Sequence, residues 1–357
     1  MSFFSRLLSK DFPRSKILAV LLLAVLIGLV ITPFAFPGAK TLNVAAKILV
    51  FIVLVASYDL LIGYTGIVSF AHTMFFGIGA YGIAIASTRL GPFWSSLALG
   101  TALALVASLL LSLLIGLLSL RVRAIFYAMI TLAIASAFLT LASQLSEFTG
   151  GEDGLTFKLP EVLAPSTQFF SGPVLGITID GKILTYYLVL CSALMLFLLM
   201  LRIVNSPFGR VLQAIRENDF RAEAIGYTTV IYRTLSNVLS AGFATLAGCL
   251  LAIWLRYNGP DTSLSFEIML DVLLIVVIGG MGTLYGAVIG SVLFILAQSY
   301  LQDLMKLAAE ATQSLPMLSA LLSPDRWLFW LGILFVLSVY YFPTGVVGRL
   351  RSSSQSN

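Results

Sequence analysis

Ten predominantly apolar stretches recur along this chain, near residues 17–36, 43–62, 67–88, 93–119, 123–145, 183–203, 232–255, 267–282, 286–305 and 326–344. About 20 apolar residues is the length an α-helix needs to cross a bilayer. A chain built this way is expected to fold as an all-α polytopic membrane protein with about ten transmembrane helices. The charges agree: of 357 residues, 21 are Lys or Arg and 16 are Asp or Glu, about one in ten where a soluble domain carries roughly one in four. So few charges cannot cover a chain of this size in water, which excludes an ordinary soluble enzyme. Cys191 and Cys249 each sit within an apolar run and His72 is the only histidine. Neither a disulfide framework nor a zinc ligand set can be assembled from them, and no metal or cofactor is expected. The first run follows Arg6, Lys10, Arg14 and Lys16 as a signal peptide would. It is too long for one and lacks a small-residue cleavage site, so it reads as a retained helix.

Ten spans place both termini on one side, and the basic residues test this. With the N-terminus inside, the inner segments hold Arg6, Lys10, Arg14, Lys16, Arg121, Arg123, Arg202, Arg210, Arg216, Arg221, Arg233, Arg349 and Arg351, thirteen of the 21. The longer outer segments hold the rest and most of the acids, including Glu147, Glu152, Asp153, Glu161 and Asp180. Basic residues in excess mark the cytoplasmic side. The expected organisation is a cytoplasmic basic N-terminus (1–16), a single transmembrane domain (17–345) and a cytoplasmic tail (346–357). If 266–301 crossed only once, the C-terminus would move outside with Arg349 and Arg351, which the same count disfavours.

Two connections are long. The outer one, 146–182, carries turn residues from Thr149 to Gly154, at Pro160 and at Ser171-Gly172-Pro173, so it reads as a folded loop. The inner one, 205–230, begins Asn205-Ser206-Pro207 and places Val211, Leu212, Ile215, Ala222 and Ile225 on one helical face. Arg216, Glu217, Arg221 and Glu223 fall largely elsewhere, and Gly226 is a left-handed stop. One or two short amphipathic helices outside the bilayer are expected, shaped for docking. Glu217 or Glu223, flanked by arginines, suits ion pairs across a protein interface.

Glycine-rich interruptions occur in both halves: Gly63-Tyr64-Thr65-Gly66, and Gly279-Gly280-Met281-Gly282-Thr283 within the apolar stretch 266–301. The second predicts a broken or re-entrant helix pair. Paired breaks of this kind point to a transport path built from two pseudo-repeated halves, with Ser69-Phe70 and Ser265-Phe266 as the trace of a repeat. Gly282, Gly286 and Gly290 form small-x-x-x-small steps that favour close helix packing over pore lining. With no lysine among them there is no phosphate-binding loop, so any ATPase must be another chain.

Ionisable residues within spans are candidates for function because burying them is costly. Asp59, His72 and Asp271 qualify. Ser69 and His72, three apart, are expected to share a helical face, where His72 either contacts substrate or bonds a neighbouring helix. Asp271, four residues after Glu267, suits the outer rim. Asp59, within a turn of the inner interface, reads as solvated. Tyr64, Ser69 and Thr73 add hydroxyls to an apolar passage.

The run from Gly63 to Tyr81, the turn from Thr149 to Leu155, the stretch from Pro207 to Gly226 and the segment from Gly279 to Gly286 together resemble the branched-chain amino-acid ABC permease family, and within it the LivM-type subunit. The resemblance spans about residues 45–345. It implies a type II ABC importer-like permease in a prokaryotic inner membrane, paired with a second, similar permease, two cytoplasmic ATP-binding subunits and an external solute-binding protein. The cargo would be branched-chain or other small neutral amino acids; the same scaffold also serves urea, short amides and aromatic acids. It implies, too, that 205–226 is the coupling element seated in the ATPase, through Arg210, Arg216, Glu217, Arg221, Glu223 and Gly226, with Tyr64, Ser69, His72, Thr73 and Asp271 along the substrate path. Asp59, and Phe70-Ala71 before His72, depart from the family pattern. Two other classes compete. An ion-coupled transporter would use Asp59, His72 and Asp271 as a relay and need no ATPase. A scaffold without transport would have little use for unwound backbone at membrane depth.

Overall fold

A computed structural model of the chain describes residues 15–119, 124–169, 179–311, 323–342 and 344–352. Arg6, Lys10, Arg14, Arg121, Arg123 and Ser171-Gly172-Pro173 lie outside them. The described residues are helical almost throughout: α1 (Lys16–Ala35), α2 (Ala39–Thr65), α3 (His72–Leu90), α4 (Trp94–Ser119), α5 (Ala124–Gln144), α6 (Gly181–Val204), α7 (Pro207–Glu217), α8 (Asp219–Ala224), α9 (Thr229–Leu255), α10 (Phe266–Gly279), α11 (Leu284–Ala311), α12 (Trp327–Tyr341) and α13 (Gly345–Ser352). Among them nine segments are long and apolar enough to cross a membrane. The chain is a multi-pass membrane protein. A tenth helix, α3, is lined with Gly, Ala and Ser and lies enclosed by α9, α4 and α5.

Helices α2 and α9 form the centre and are buried over most of their length, whereas α1, α5 and α12 are peripheral and expose Leu, Ile, Val and Phe. In water such exposure would mark a binding surface; around a membrane core it is the lipid-facing side. Close approach at the centre depends on small residues, with Gly79 of α3 against the Thr245 carbonyl of α9 and Gly248 of α9 against the Phe76 carbonyl of α3.

Two readings of the spans change. The expected helix 67–88 starts only at His72, because Gly66 takes a left-handed φ of 72° and ends α2, leaving 66–71 non-helical. The interruption at 279–283 is a tight turn between antiparallel partners. Gly280 and Gly282 adopt φ of 110° and 80°, where only glycine is unstrained, and α10 packs along α11. At 14 residues, α10 spans only about 21 Å, and the Pro260–Ser263 helical turn extends it.

The 146–182 connection is folded where described. Gly150, Gly151 and Gly154 take positive φ, and a two-residue strand, β1 (Leu155–Thr156), pairs antiparallel with β2 (Tyr257–Asn258) after α9. The 205–230 connection forms two helices. Pro207 opens α7, Asn218 caps α8 by accepting from Arg221 N at 2.8 Å, and Gly226 (φ 98°) closes it as Tyr227 N donates to the Ala222 carbonyl at 3.1 Å. Leu212, Ile215 and Ala222 are buried as the pattern predicts, but Ile225 is 68% exposed. The new start at Asn218 shifts the phase of the second helix and turns Ile225 outward.

Candidate functional site

The two glycine-rich interruptions, more than 200 residues apart in sequence, meet at one end of the bundle. Gly282 N donates to Asp59 Oδ1 at 2.8 Å, and a β-carbon on Gly63 would strike both that carboxylate and the Gly282 nitrogen. Arg216, from α7, enters the same junction. Its stem passes Gly66, where a β-carbon would stand 3.4 Å from its Cγ, and its Nη1 donates to the Gly63 carbonyl. On the other side Gly345, at the start of α13, rests on Gly280. The amphipathic element, the α10–α11 turn, the end of α2 and the start of α13 therefore share one node.

The node corrects the solvated reading of Asp59, which is 1% exposed. A buried carboxylate needs hydrogen-bond partners, and the turn amide supplies one. At the node and beside it, Gly63, Gly279, Gly280, Gly282 and Gly286 lie against backbone, Gly286 against the Gly279 carbonyl, while Gly66 leaves room for the Arg216 stem.

The substrate-path candidates separate. His72 is buried, with Nε2 and Ser57 Oγ of α2 at 2.8 Å and the Tyr58 ring beside it. This is the helix-bonded arrangement. Ser69 shares no helical face with His72, because it lies in the non-helical 66–71 link, where its Oγ accepts from Ala71 N. Tyr64 and Thr73 are buried as well. Asp59, His72 and Asp271 bond to Gly282, Ser57 and Gln298 respectively, not to one another, so no direct relay joins them.

Of the five, Asp271 lines a cavity. A space of about 470 Å³ opens at the end opposite the node, near β2, and is lined by residues of α2, α9, α10 and α11 including Asn43, Lys47, Glu267, Asp271 and Gln298. Lys47 Nζ donates to Gln298 Oε1 at 2.9 Å, and Gln298 Nε2 donates to Asp271 Oδ2 at 3.2 Å. Reading the sequence missed Asn43, Lys47 and Gln298. The available signal was Asn43 and Lys47, two polar residues four apart at the start of an apolar run and so on one face of α2.

The coupling candidates divide in a similar way. Arg216, although exposed as a residue, bonds the node through its guanidinium, and Glu223 Oε1 accepts from Thr229 Oγ1 at 2.7 Å. Asp219 pairs with Arg233 at 2.9 Å. Arg210, Glu217, Arg221 and Gly226 face outward. The most exposed apolar groups beside them are Phe220 (83%) and Ile225; Phe220 was not anticipated, because the pattern was read for its buried face.

Residues 40–339 match the family described as branched-chain amino acid transport system / permease component. The high-affinity branched-chain amino acid transport system permease protein LivM of Escherichia coli (strain K12) is 26% identical over 296 residues, 78% of this chain and 68% of that protein. The protein of the same name from Salmonella typhimurium is 27% identical over 297 residues, 79% and 68% of the two chains. A probable branched-chain amino acid transport permease protein LivM of Methanocaldococcus jannaschii is 26% identical over 218 residues, 60% and 58% of the two. No solved structure matches.

Proposed function

This chain belongs to the branched-chain amino acid transport permease family, and from that premise we propose that it forms half of the membrane pore of an ABC importer for branched-chain or other small neutral amino acids. A second, similar permease supplies the other half, two ATP-binding subunits drive it from the cytoplasm, and a solute-binding protein delivers the amino acid from outside. The membrane is a prokaryotic inner membrane, with both termini and 205–230 in the cytoplasm, the side favoured by the basic residues. The observation that carries this reading is the node. An amphipathic element outside the bundle holds, through Arg216, the junction of two transmembrane breaks. Movement of that element by a partner is thus passed directly to α2 and to the α10–α11 pair, which is what coupling to an ATPase requires. Phe220 and Ile225 offer the partner an apolar contact, with Arg210, Glu217 and Arg221 as its polar rim.

The test is purification of the tagged chain from its native membrane, with mass spectrometry of the chains recovered. The importer reading expects an ATP-binding subunit and a second permease. Burying a phenylalanine contributes about 1.5–3 kcal/mol, so Phe220→Asp is expected to lower recovery of the ATP-binding subunit about tenfold or more, and Glu217→Lys/Glu223→Lys to weaken it as well. A chain that comes out alone and transports under an ion gradient overturns the proposal.

A further inference from the structure

We propose that the cavity holding Lys47, Asp271 and Gln298 is a low-affinity binding site for the zwitterionic head of an α-amino acid, a stopping point within the permease itself. The inference rests on the permease reading and adds a location and a recognition chemistry to it.

Opposite charges attract more strongly as the surroundings become less polar, so Lys47 and Asp271, largely enclosed among apolar helices, would be expected to close into a direct ion pair. They do not. The Gln298 amide stands between them, accepting from one and donating to the other, and holds the cation and the anion on separate parts of the cavity wall. An ammonium has three N–H groups and a carboxylate has two oxygens. One of each is used by Gln298, while the Phe51 ring lies 5.4 Å from Lys47 Nζ. The remaining capacity serves a ligand carrying both a carboxylate, for Lys47, and an ammonium, for Asp271 with Glu267 one turn away. Asp261, Thr262 and Ser265 add polar groups at one edge of the wall, while Phe76, Leu251, Trp254 and Ile268 form an apolar part that suits an aliphatic side chain. A monovalent amine or acid satisfies one pole and leaves the other uncompensated. Affinity stays low because the ligand competes with Gln298 for both charges, and low affinity is what a passage requires, since a ligand that enters must also leave.

The experiment uses the complete importer in lipid vesicles, with Cys191→Ser and Asn43→Cys, so that a thiol in the cavity wall reports occupancy through its rate of reaction with a methanethiosulfonate reagent. L-leucine at about ten times its dissociation constant is expected to slow that reaction about tenfold by mass action. Isopentylamine and 4-methylpentanoate, which each lack one pole, leave it nearly unchanged. Lys47→Met and Asp271→Asn each abolish protection, read as the ratio of the rates with and without leucine in the same variant, because a nearby charge also shifts the thiolate fraction. The site is overturned if leucine gives no protection, if the amine or the acid protects equally well, or if protection survives both substitutions. Uptake by the parent importer is measured alongside. Uptake without protection removes this site and leaves the permease reading intact; absence of ATP-driven uptake removes the permease reading itself.

Discussion

Asp59→Leu is expected to leave the importer assembled and hydrolysing ATP while uptake falls about tenfold or more. Leucine shares the branching of aspartate, with methyls in place of oxygens, but cannot accept from Gly282 N, whose buried bond to Oδ1 is 2.8 Å. A buried amide without a partner costs about 1–3 kcal/mol, and 1.4 kcal/mol is about a tenfold shift in a conformational equilibrium. The cost falls on the state in which the α10–α11 turn sits on α2, so the transmembrane helices no longer follow the cytoplasmic element. Asp59→Asn keeps a carbonyl oxygen in place and is expected to do little. Arg216→Ala removes the other tie, to the Gly63 carbonyl. Combined with Asp59→Leu it should add less than its separate effect, because both residues hold the same junction. Amino acid taken up per ATP hydrolysed in reconstituted vesicles decides the matter. Normal coupling in Asp59→Leu, or equal damage from asparagine and leucine, would show that the node is only structural.

How much of this was legible beforehand depended on the range of the interaction. Spans, caps and turns are local. Pro207, Asn218 and Gly226 bound two helices through their own backbone preferences, and the apolar runs give helix number through the thickness of a membrane. Contacts between helices are another matter. Asp59 stands out as a charge in an apolar stretch, yet its partner lies 223 positions away, and a periodic pattern gives a face without naming what lies opposite. The unwound link 66–71 was hidden for a related reason. Hydropathy is blind to backbone conformation, and an apolar run can leave the helix provided its amides find partners, as Phe70 N does at Thr131 Oγ1, 3.0 Å away. Ser69 and His72 were assigned to one face on the assumption of an unbroken helix. Lys47 and Gln298 escaped notice because each alone reads as an ordinary polar residue, Lys47 near a helix start and Gln298 among the polar residues of α11; only the fold aligns them with Asp271.

Gly248→Ala is expected to be the most destabilising single-methyl change in the central helices, lowering the unfolding temperature of the detergent-solubilised chain by many degrees, while Gly28→Ala raises it slightly. The two substitutions add the same atom and have the same intrinsic helical preference, about 0.5–1 kcal/mol in favour of alanine. Their surroundings decide the sign. A β-carbon on Gly28 meets nothing within 4 Å, because that part of α1 faces open space. On Gly248 it would overlap the Phe76 carbonyl of α3 and lie 3.1 Å from Ala80 N, and backbone cannot rotate away as the end of a side chain can. Relief requires α3 and α9 to separate, which weakens the reciprocal seat of Gly79 on the Thr245 carbonyl and the contact of Cys249 Sγ with the Gly79 carbonyl at 3.3 Å. Overpacking of this kind costs about 1–3 kcal/mol and often more where backbone must move, enough to outweigh the helical gain. Leucine at 248 should abolish recovery of folded protein. If Gly248→Ala melts within about a degree of the parent, on a scale where 1 kcal/mol is worth a few degrees, the α3–α9 crossing is looser than described, and the path from Arg216 through α2 to the cavity at the far end loses the rigid core it runs beside.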